Sequence, residues 1–557
     1  MFAFNRDDKN MIKKLFYELV SVQSDTGTKL EKDIEDKIYE WFIGRPYYRR
    51  NAELAGKYIV EDDPLKRSVV WALVKGNGED TVVLMNHHDA VDIYEYGELR
   101  DTSLKPEELK KALKQLNLDD DVVKDIESDE WIFGRGTADM KAGTAIQMWM
   151  TYKASSIENF NGNLLFLSVS DEENLSAGMR GAIKLLVDIR EKHGLKYKSI
   201  INSEPFSKED DGSGIIYEGS VGKFMPVIYV RGKKSHIGQI YTGLNPSYLL
   251  SMIHTRIELN VDFSDSVDGE MSPPPSWVYL RDRKKCYDAS IPEASAAYFS
   301  MLSLYTSPKE IIERLRNNCE MAFVECIDNI NKSYREFCRR ANKEFIKLPW
   351  KPRILTYSEL YNMVLEKHGE GFLEKFNKLV CISKDKMVSG EINIQEATIR
   401  LVEEVVEFLD DKEPLIVLAI SAPFYPHICN RDIGLTKEDE FIDIVNKFSL
   451  SKWGQGYKKR NYFMGISDLS YTGLLSSDSV INTIESNTPG WGSLYYIPFD
   501  NLKSLSMPTI NIGPWGKDLH KITERVLEED VFYRTPQIIA NFIDKILNSD
   551  ETEKKKN

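Results

Sequence analysis

The first 220 residues alternate between short apolar runs and longer stretches with apolar residues at helical spacing. From residue 10 to about 43 this spacing predicts two amphipathic helices, separated by the turn-prone "QSDTGT". Beyond them lie four short apolar runs bounded by turn residues: "SVVWALV", "TVVLM", "NLLFLSVS" and "SIINSE". The alternation predicts an α/β fold, in which a mostly parallel sheet carries helices on both faces and functional groups collect at the carboxyl ends of strands.

The pattern changes after residue 222. "KFMPVIYVRG" and "SWVYLRDRKK" are typical of half-buried strands, and long helical stretches accompany them. The later "NIQEATIRLVEEVVEFLDD" leads into the apolar "PLIVLAIS", which returns to the buried-strand style of the first part. We therefore predict a discontinuous α/β domain of residues 1–221 and 356–557, interrupted by an inserted α+β domain of residues 222–355.

The composition restricts the class of protein and its partners. Of 557 residues, 42% are hydrophobic and 29% charged, which is the profile of a folded globular protein. A formal net charge of -14 argues against nucleic acid and membrane surfaces as partners. We expect a cytoplasmic protein, because the N-terminus lacks the apolar segment of a signal peptide and no run of about eighteen apolar residues occurs. The 6 cysteines include no C-x-x-C pair, which favours reduced thiols.

Acidic residues and histidines follow the predicted strands. They are His87 and Asp89 after "TVVLMN", Asp139 in "GRGTADMKAG", Glu172 and Glu173 in "SVSDEEN", Glu204 in "INSEP" and His520 in "NIGPWGKDLH". Carboxylates and imidazoles at one rim would repel one another or stay poorly solvated without a cation, whereas two zinc ions bridged by a carboxylate satisfy such a set. Asp89, two residues after His87 in an extended chain, would accept a proton from the second ring nitrogen and fix the tautomer.

Each of these residues also has a plainer interpretation. A single histidine such as His87 is commonly a satisfied or exposed side chain, and alternation points His88 to the opposite face of the strand. Paired glutamates are usually a solvated patch, although Glu172 and Glu173 follow a buried run. The glycines of "GRGTA" commonly serve a turn, and they do not form the dinucleotide-binding fingerprint. The order and the local contexts of the residues together carry the prediction.

The order of these elements resembles a known family. The series "HHD", "GRGTADMKAG", "DEEN", "SEP" and a distant C-terminal histidine, with "VRGKKSHIG" in the inserted domain, resembles metallopeptidase family 20, the dizinc aminoacylases, carboxypeptidases and deacylases. The length, "SVQSDTGT" and "LAISAPFYPH" are most similar to the arginine utilization protein RocB group. The resemblance implies a zinc-peptidase-like catalytic domain and an inserted domain that acts as a lid or in dimerisation.

The resemblance also implies a role for each site residue. One zinc ion would be held by His87, Asp139 and Glu204 and the other by Asp139, Glu173 and His520, with Asp139 as the bridge. Glu172 would be the general base that takes a proton from the zinc-activated water and returns it to the departing amine. His236 would stabilise the oxyanion, and in dimeric relatives this histidine comes from the partner subunit. Ser467 and Asp468 in "GISDLSY" loosely resemble an element that lines the substrate pocket.

These observations predict a metal-dependent hydrolase that cleaves an amide bond of an N-acyl or N-carbamoyl amino acid or a short peptide. The resemblance to the arginine utilization group indicates a product related to arginine or ornithine. Two zinc ions are the expected cofactors, with cobalt or manganese as substitutes. A homodimer through the inserted domain is expected on the same resemblance. The alternatives are a noncatalytic metal-binding or amino-acid-binding regulatory protein on the same fold, and a structural protein whose inserted domain is its interaction surface.

Overall fold

The computed structural model describes residues 2–61, 63–434, 440–474 and 476–548. The α-helices of these residues are α1 (Arg6–Val20), α2 (Glu31–Ile43), α3 (Pro46–Arg50), α4 (Pro106–Leu113), α5 (Asp120–Glu127), α6 (Ala142–Ser155), α7 (Ala177–His193), α8 (Pro246–Ile257), α9 (Pro308–Arg340), α10 (Tyr357–Val388), α11 (Ile394–Glu407), α12 (Asn430–Ile433), α13 (Glu440–Trp453), α14 (Asp478–Asn487), α15 (Phe499–Leu505) and α16 (Thr535–Leu547). None of the helices in this part of the chain combines the length and apolar character that a bilayer crossing requires.

The strands alternate with these helices along the chain. They are β1 (Ala55–Ile59), β2 (Ser68–Lys75), β3 (Asn77–His87), β4 (Trp131–Phe133), β5 (Asn161–Val169), β6 (Lys196–Asn202), β7 (Gly214–Tyr217), β8 (Gly219–Ser220), β9 (Gly222–Arg231), β10 (Ser266–Val267), β11 (Glu270–Met271), β12 (Ser276–Asp282), β13 (Ala294–Ser303), β14 (Ile354–Thr356), β15 (Leu415–Tyr425), β16 (Ile428–Cys429), β17 (Tyr457–Arg460), β18 (Thr509–Asn511), β19 (Gly516–Lys517) and β20 (Arg525–Leu527).

Two compact units share these elements. The first unit comprises Met1–Ser220, Ile428–Leu475 and Pro498–Asn557, and the second comprises Val221–His427 and Ser476–Ile497. The chain therefore passes out of the first unit and returns to it, as an inserted domain requires.

The first unit contains an 8-stranded sheet in the order β1-β2-β5-β3-β6-β18-β7-β17. Its central strands β5, β3, β6 and β18 run parallel, while β1 and β2 add antiparallel pairs at one edge. The central strands are apolar and almost fully buried, because helices such as α6, α16, α2 and α7 pack on the sheet. The structure confirms the predicted α/β fold and shows that the sheet is mixed.

The second unit contains a 5-stranded sheet in the order β12-β13-β9-β15-β14, antiparallel except for the pair β14 and β15. Helices α10 and α11 cover one face with a buried cluster that includes Val227, Tyr229 and Leu401. On the other face Phe299 packs against Trp277, which contacts His254 of α8. The second unit is thus an α+β domain with helices on both faces of its sheet.

The prediction ended the inserted domain at residue 355, and the structure extends the second unit to His427 and adds residues 476–497. The apolar "PLIVLAIS" forms most of β15, which pairs with β9 and β14 of the second sheet instead of joining the first. The prediction misassigned this strand because burial on both faces gives the same apolar run in either sheet. The long helical region after residue 300 supplies α9 and α10, and α10 contributes to the cover on one face of β15.

Candidate metal centre

The carboxyl ends of three parallel strands supply most of the predicted site residues. His87 is the last residue of β3, Glu172 and Glu173 follow β5, and Glu204 follows β6. His520 lies between the short strands β19 and β20, in the segment that follows β18. Because the carboxyl ends of parallel neighbours open at one edge of a sheet, residues that are far apart in the chain meet there.

Asp139 lies between two histidines. Its Oδ1 is 3.0 Å from His87 Nε2, and its Oδ2 is 3.3 Å from His520 Nε2. Glu204 Oε1 is 3.3 Å from the same His87 nitrogen, and Glu173 Oε1 is 3.1 Å from the His520 nitrogen. The structure therefore brings together two sets of three donors that share Asp139, and in each set the donor atoms lie within 4.8 Å of one another.

The acids of this cluster repel one another. Burial, with the neighbouring Asp139 carboxylate, raises the pKa of Glu204 to about 8, and the same two causes raise the pKa of Glu173. Burial opposes the charged form of His87, but Glu204 and Asp139 outweigh it and raise the pKa of His87 well above its usual value. Divalent cations would relieve this repulsion, and a mixed set of imidazole and carboxylate donors with a shared aspartate fits two zinc ions.

Glu172 lies beside the two donor sets. Its Oε2 is 4.0 Å from His87 Nε2, and the side chain is only 11% exposed. Burial and the nearby acids Asp468 and Glu204 raise the pKa of Glu172 well above its ordinary value, against the opposing effect of His87. His87, Glu172 and Glu173 form a third group of donors close enough to share an ion. Geometry alone therefore permits Glu172 to hold either a proton or a metal ion.

Asp89 is fully buried and contacts both His87 and the acidic pair. The atom nearest to His87 Nδ1 is the backbone carbonyl oxygen of Asp89 at 3.1 Å, and the Asp89 carboxylate is 3.5 Å away. The backbone N–H groups of Glu172 and Glu173 each donate to one oxygen of that carboxylate, both over 3.1 Å. Asp89 thus lies where it can orient His87, and its carboxylate also fixes the backbone of the acidic turn, which the sequence did not predict.

A buried ion cluster supports the same turn from the other side. Asp171, which precedes the glutamates, has a φ of 67° in the left-handed region. Its carboxylate accepts from Arg67 Nη1 over 2.6 Å, and that nitrogen also donates to Glu31 over 2.7 Å. Asp63 completes the cluster by accepting from the other side of the Arg67 guanidinium. Nothing in the local pattern around Arg67 predicts its contacts with Glu31 and Asp171, because these two partners lie in separate segments of the chain.

The two pocket candidates have different environments. Ser467 is fully buried, and its hydroxyl oxygen accepts from Asn202 Nδ2 over 2.9 Å and from the backbone of Leu469 over 3.2 Å. It caps the short 3-10 helix of residues 468–471. Asp468 is also buried, and burial raises its pKa to about 7 against a lowering by the Ser176 hydroxyl. It lies close enough to Glu172 to raise the pKa of that residue.

His236 belongs to the second unit. The side chain is exposed, and its Nδ1 accepts from the backbone N–H of Gly238 over 3.1 Å, which leaves Nε2 as the nitrogen that carries the proton. The turn that follows is anchored by Tyr241, whose ring stacks on Tyr334 of α9 at 4.6 Å between centroids and also contacts Phe337. The long helix α9 thus holds the segment that presents His236.

Comparisons with known proteins identify the family of this chain. Residues 115–545 match Peptidase family M20/M25/M40, which is more than half of the chain. The chain belongs to this family. It is 31% identical to protein YqjN of Bacillus subtilis (strain 168) over 98% of both chains. It is 29% identical to protein RocB of the same organism, over 97% of this chain and 95% of that protein.

A solved structure shares the fold. The M20 family metallo-carboxypeptidase Sso-CP2 from Sulfolobus solfataricus superposes with a TM-score of 0.51 at 11% identity, covering 96% of this chain and 99% of that one. Membership of a peptidase family makes this protein a metal-dependent hydrolase, which favours the first of the predicted functions over a noncatalytic binding protein. The family match begins after His87 and Asp89, and the structure places these two residues beside Asp139, which lies within the matched range.

Proposed function

We propose that this protein hydrolyses an amide bond in an N-acyl or N-carbamoyl amino acid or a short peptide, using two metal ions. The observation that carries the proposal is the position of Asp139, whose two carboxylate oxygens face two different histidines. A carboxylate placed in this way is suited to bridge two cations. The resemblance of the chain to the dizinc aminoacylases and deacylases is the reason to choose amide hydrolysis.

The donor residues form two sets, one for each proposed metal position. His87, Asp139 and Glu204 would hold one ion and Asp139, Glu173 and His520 the other, and zinc suits a set of this composition, with cobalt or manganese as substitutes. Bound ions would polarise the scissile carbonyl and lower the pKa of a water molecule. Glu172 would accept the proton of that water at its carboxylate and deliver it to the nitrogen of the departing amine. Its position beside both donor sets supports this role.

The second unit would complete the site through His236. The protonated Nε2 of this histidine is a suitable donor to the oxygen of the substrate carbonyl as negative charge develops there. The second unit would act as a lid and as the contact between two copies of the chain. Within the described residues β12 is an edge strand paired with β13 alone, and its Val278 and Leu280 side chains are 63% and 42% exposed. An uncovered edge with apolar side chains favours pairing with a second copy.

The proposed substrate class rests on the resemblance to the arginine utilization RocB group, which extends over nearly the whole chain. N-acylated and N-carbamoylated derivatives of arginine and ornithine are therefore the first compounds to test.

The test is a hydrolysis assay on purified protein. Zinc-loaded wild type, the chelated protein and the chelated protein with zinc restored would be incubated with N-acyl and N-carbamoyl amino acids and dipeptides, and the released amine measured by mass spectrometry. Asp139→Asn should abolish release, whereas Asp328→Asn, an exposed aspartate on α9, should leave it unchanged. Release that is equal with and without metal, or no release from any of these compounds by the zinc-loaded protein, would contradict the proposal.

A further inference from the structure

A buried arginine and a buried glutamate lie behind two of the candidate metal ligands. Arg135 belongs to the "GRGTADMKAG" segment, and Glu524 follows His520 near the end of the chain. Their side chains are 2% and 1% exposed, and Arg135 Nη1 donates to Glu524 Oε2 over 2.8 Å. A charged pair so completely removed from water is costly unless its remaining hydrogen-bonding atoms are also satisfied. Those other contacts show what the pair does.

Glu524 holds the backbone at Asp139. Its second carboxylate oxygen, Oε1, accepts from the N–H of Ala138 over 3.1 Å and from the N–H of Asp139 over 3.3 Å. Both donors lie in the irregular turn between β4 and α6, where Asp139 has non-helical dihedral angles. The carboxylate therefore supplies acceptors to a turn whose own geometry provides no helical ladder for these N–H groups.

Arg135 holds the backbone at His520. Its Nη2 donates to the carbonyl oxygen of His520 over 3.0 Å and pairs with Glu95, while its Nε donates to the carbonyl oxygen of Asp92 over 3.2 Å. His520 has a φ of 66°, in the left-handed region that a residue with a side chain rarely occupies. Its imidazole is 49% exposed, so packing alone does little to hold it in place. The Arg135 guanidinium therefore helps to hold the backbone of His520 in this conformation.

We propose that Arg135 and Glu524 are positioning residues that fix Asp139 and His520 relative to each other. The inference rests on the proposed function, because Asp139 and His520 are two donors of the proposed second metal position. They come from distant parts of the chain. Only a planar guanidinium can donate to Glu524, His520 and Asp92 at once, because its nitrogens point in different fixed directions. A lysine offers one nitrogen and would give up at least one of these contacts.

The pair supports the two metal positions unequally. His87 and Glu204, the other donors of the first position, make no contact with either residue among the hydrogen bonds and ion pairs of the described chain. Loss of the guanidinium should therefore loosen His520 and weaken the second position, while the first keeps His87 and Glu204. A residue that merely stabilised the fold would affect both positions equally.

The test compares Arg135→Lys with a matched control in the second unit. Arg231 is 1% exposed and donates to the Asp411 carboxylate over 3.1 Å and to the Glu413 carbonyl over 2.8 Å and 3.0 Å, so Arg231→Lys removes a similar buried network that contains none of the proposed metal ligands. Glu524→Gln and the double variant Arg135→Lys/Glu524→Gln complete the set. The measurements are zinc per chain by elemental analysis after dialysis and the affinity for each ion by competition with a chromogenic chelator.

The expected results are two zinc ions per wild-type chain and an affinity for the second ion that falls on the order of 10- to 100-fold in Arg135→Lys, the usual effect of losing a group that orients a ligand. Arg231→Lys should keep both ions, and the double variant should be no worse than either single one, because two residues that act as one unit are not additive. Wild-type affinity for both ions in Arg135→Lys, or an equal loss in Arg231→Lys, would overturn the inference. A wild-type protein that binds no divalent ion would overturn the proposed function itself.

Discussion

Two adjacent glutamates are expected to respond oppositely to the same substitution. Glu172→Gln replaces the proposed base with an amide that cannot accept the proton, whereas Glu173→Gln replaces a charged metal ligand with a neutral one. Both changes keep the size of the side chain. Both also keep the hydrogen bonds to Asp89, because these are made by the backbone N–H groups. The fold of the turn should therefore survive in each variant.

The size of each effect follows from the proposed roles. Proton transfer by a positioned side chain contributes about 10²- to 10⁴-fold to the rate, or about 3–5 kcal/mol, so Glu172→Gln should lose that factor in kcat and keep two metal ions. Glu173 Oε1 is 3.1 Å from His520 Nε2 at the second metal position. Glu173→Gln should lose affinity for one ion by on the order of 100-fold or more, since loss of an outer partner alone costs 10- to 100-fold.

The assay measures kcat and zinc per chain on the same preparations, with Glu313→Gln, an exposed site on α9, as the control for the chemical change. Thermal unfolding of the chelated variants checks that the fold is intact. The outcome that would refute the reasoning is a loss of zinc in Glu172→Gln with full zinc in Glu173→Gln. That result would make Glu172 a metal ligand in place of Glu173 and would remove it from proton transfer.

Three further predictions concern residues that hold or complete the proposed site. Asn511→Asp should weaken the first metal position in zinc titrations, because the new carboxylate would face the Glu204 carbonyl that Asn511 Nδ2 now donates to over 2.9 Å. Mixing inactive His236→Ala with inactive Glu172→Gln should restore about a quarter of the wild-type activity if the histidine acts across a symmetric dimer, and none if it acts within its own chain. Tyr334→Ala, which removes the stacking partner of the turn after His236, should lower kcat in steady-state assays without changing zinc content.

The extent of the second unit shows where sequence patterns stop being informative. The apolar run in β15 correctly predicts a buried strand, but its neighbour is β9, whose residues lie far away in the chain. A one-sided strand alternates and so reveals which face is covered, whereas a strand covered on both faces does not. Helices α10 and α11 cover one of the two faces of β15, and the local sequence of β15 does not indicate their presence.

The candidate site also contains residues that the sequence could predict and residues that it could not. The donors themselves could be predicted, because carboxylates and histidines after apolar strands are a local signal and their order resembles a family. The residues that hold them could not, because their contacts span most of the chain: Ala138 and Glu524 are 386 positions apart. Asp89 is intermediate. Its position after His87 predicted a contact with that histidine, whereas its hydrogen bonds with the backbone of Glu172 and Glu173 were not predicted.

The residues that hold the candidate ligands in place act in the same way. Asp89 accepts from the backbone of Glu172 and Glu173, and Asn511 forms two hydrogen bonds of 2.9 Å with the backbone of Glu204. In each case a buried polar side chain of one segment fixes the main chain of another. None of these contacts uses the donor atoms of the ligands, which remain directed towards one another.

This arrangement explains how the acids can be assembled before any cation is present. Burial of Glu173 and Glu204, together with repulsion by the Asp139 carboxylate, raises the pKa of both glutamates, and these two effects oppose folding. Hydrogen bonds to the backbone resist that repulsion without neutralising the carboxylates, because they act on the main chain and not on the charged oxygens. The ligands are then held close to their final positions, so little reorganisation opposes the entry of metal. Cation binding should accordingly stabilise the fold by relieving repulsion, with only small changes in the positions of the strands that carry the site.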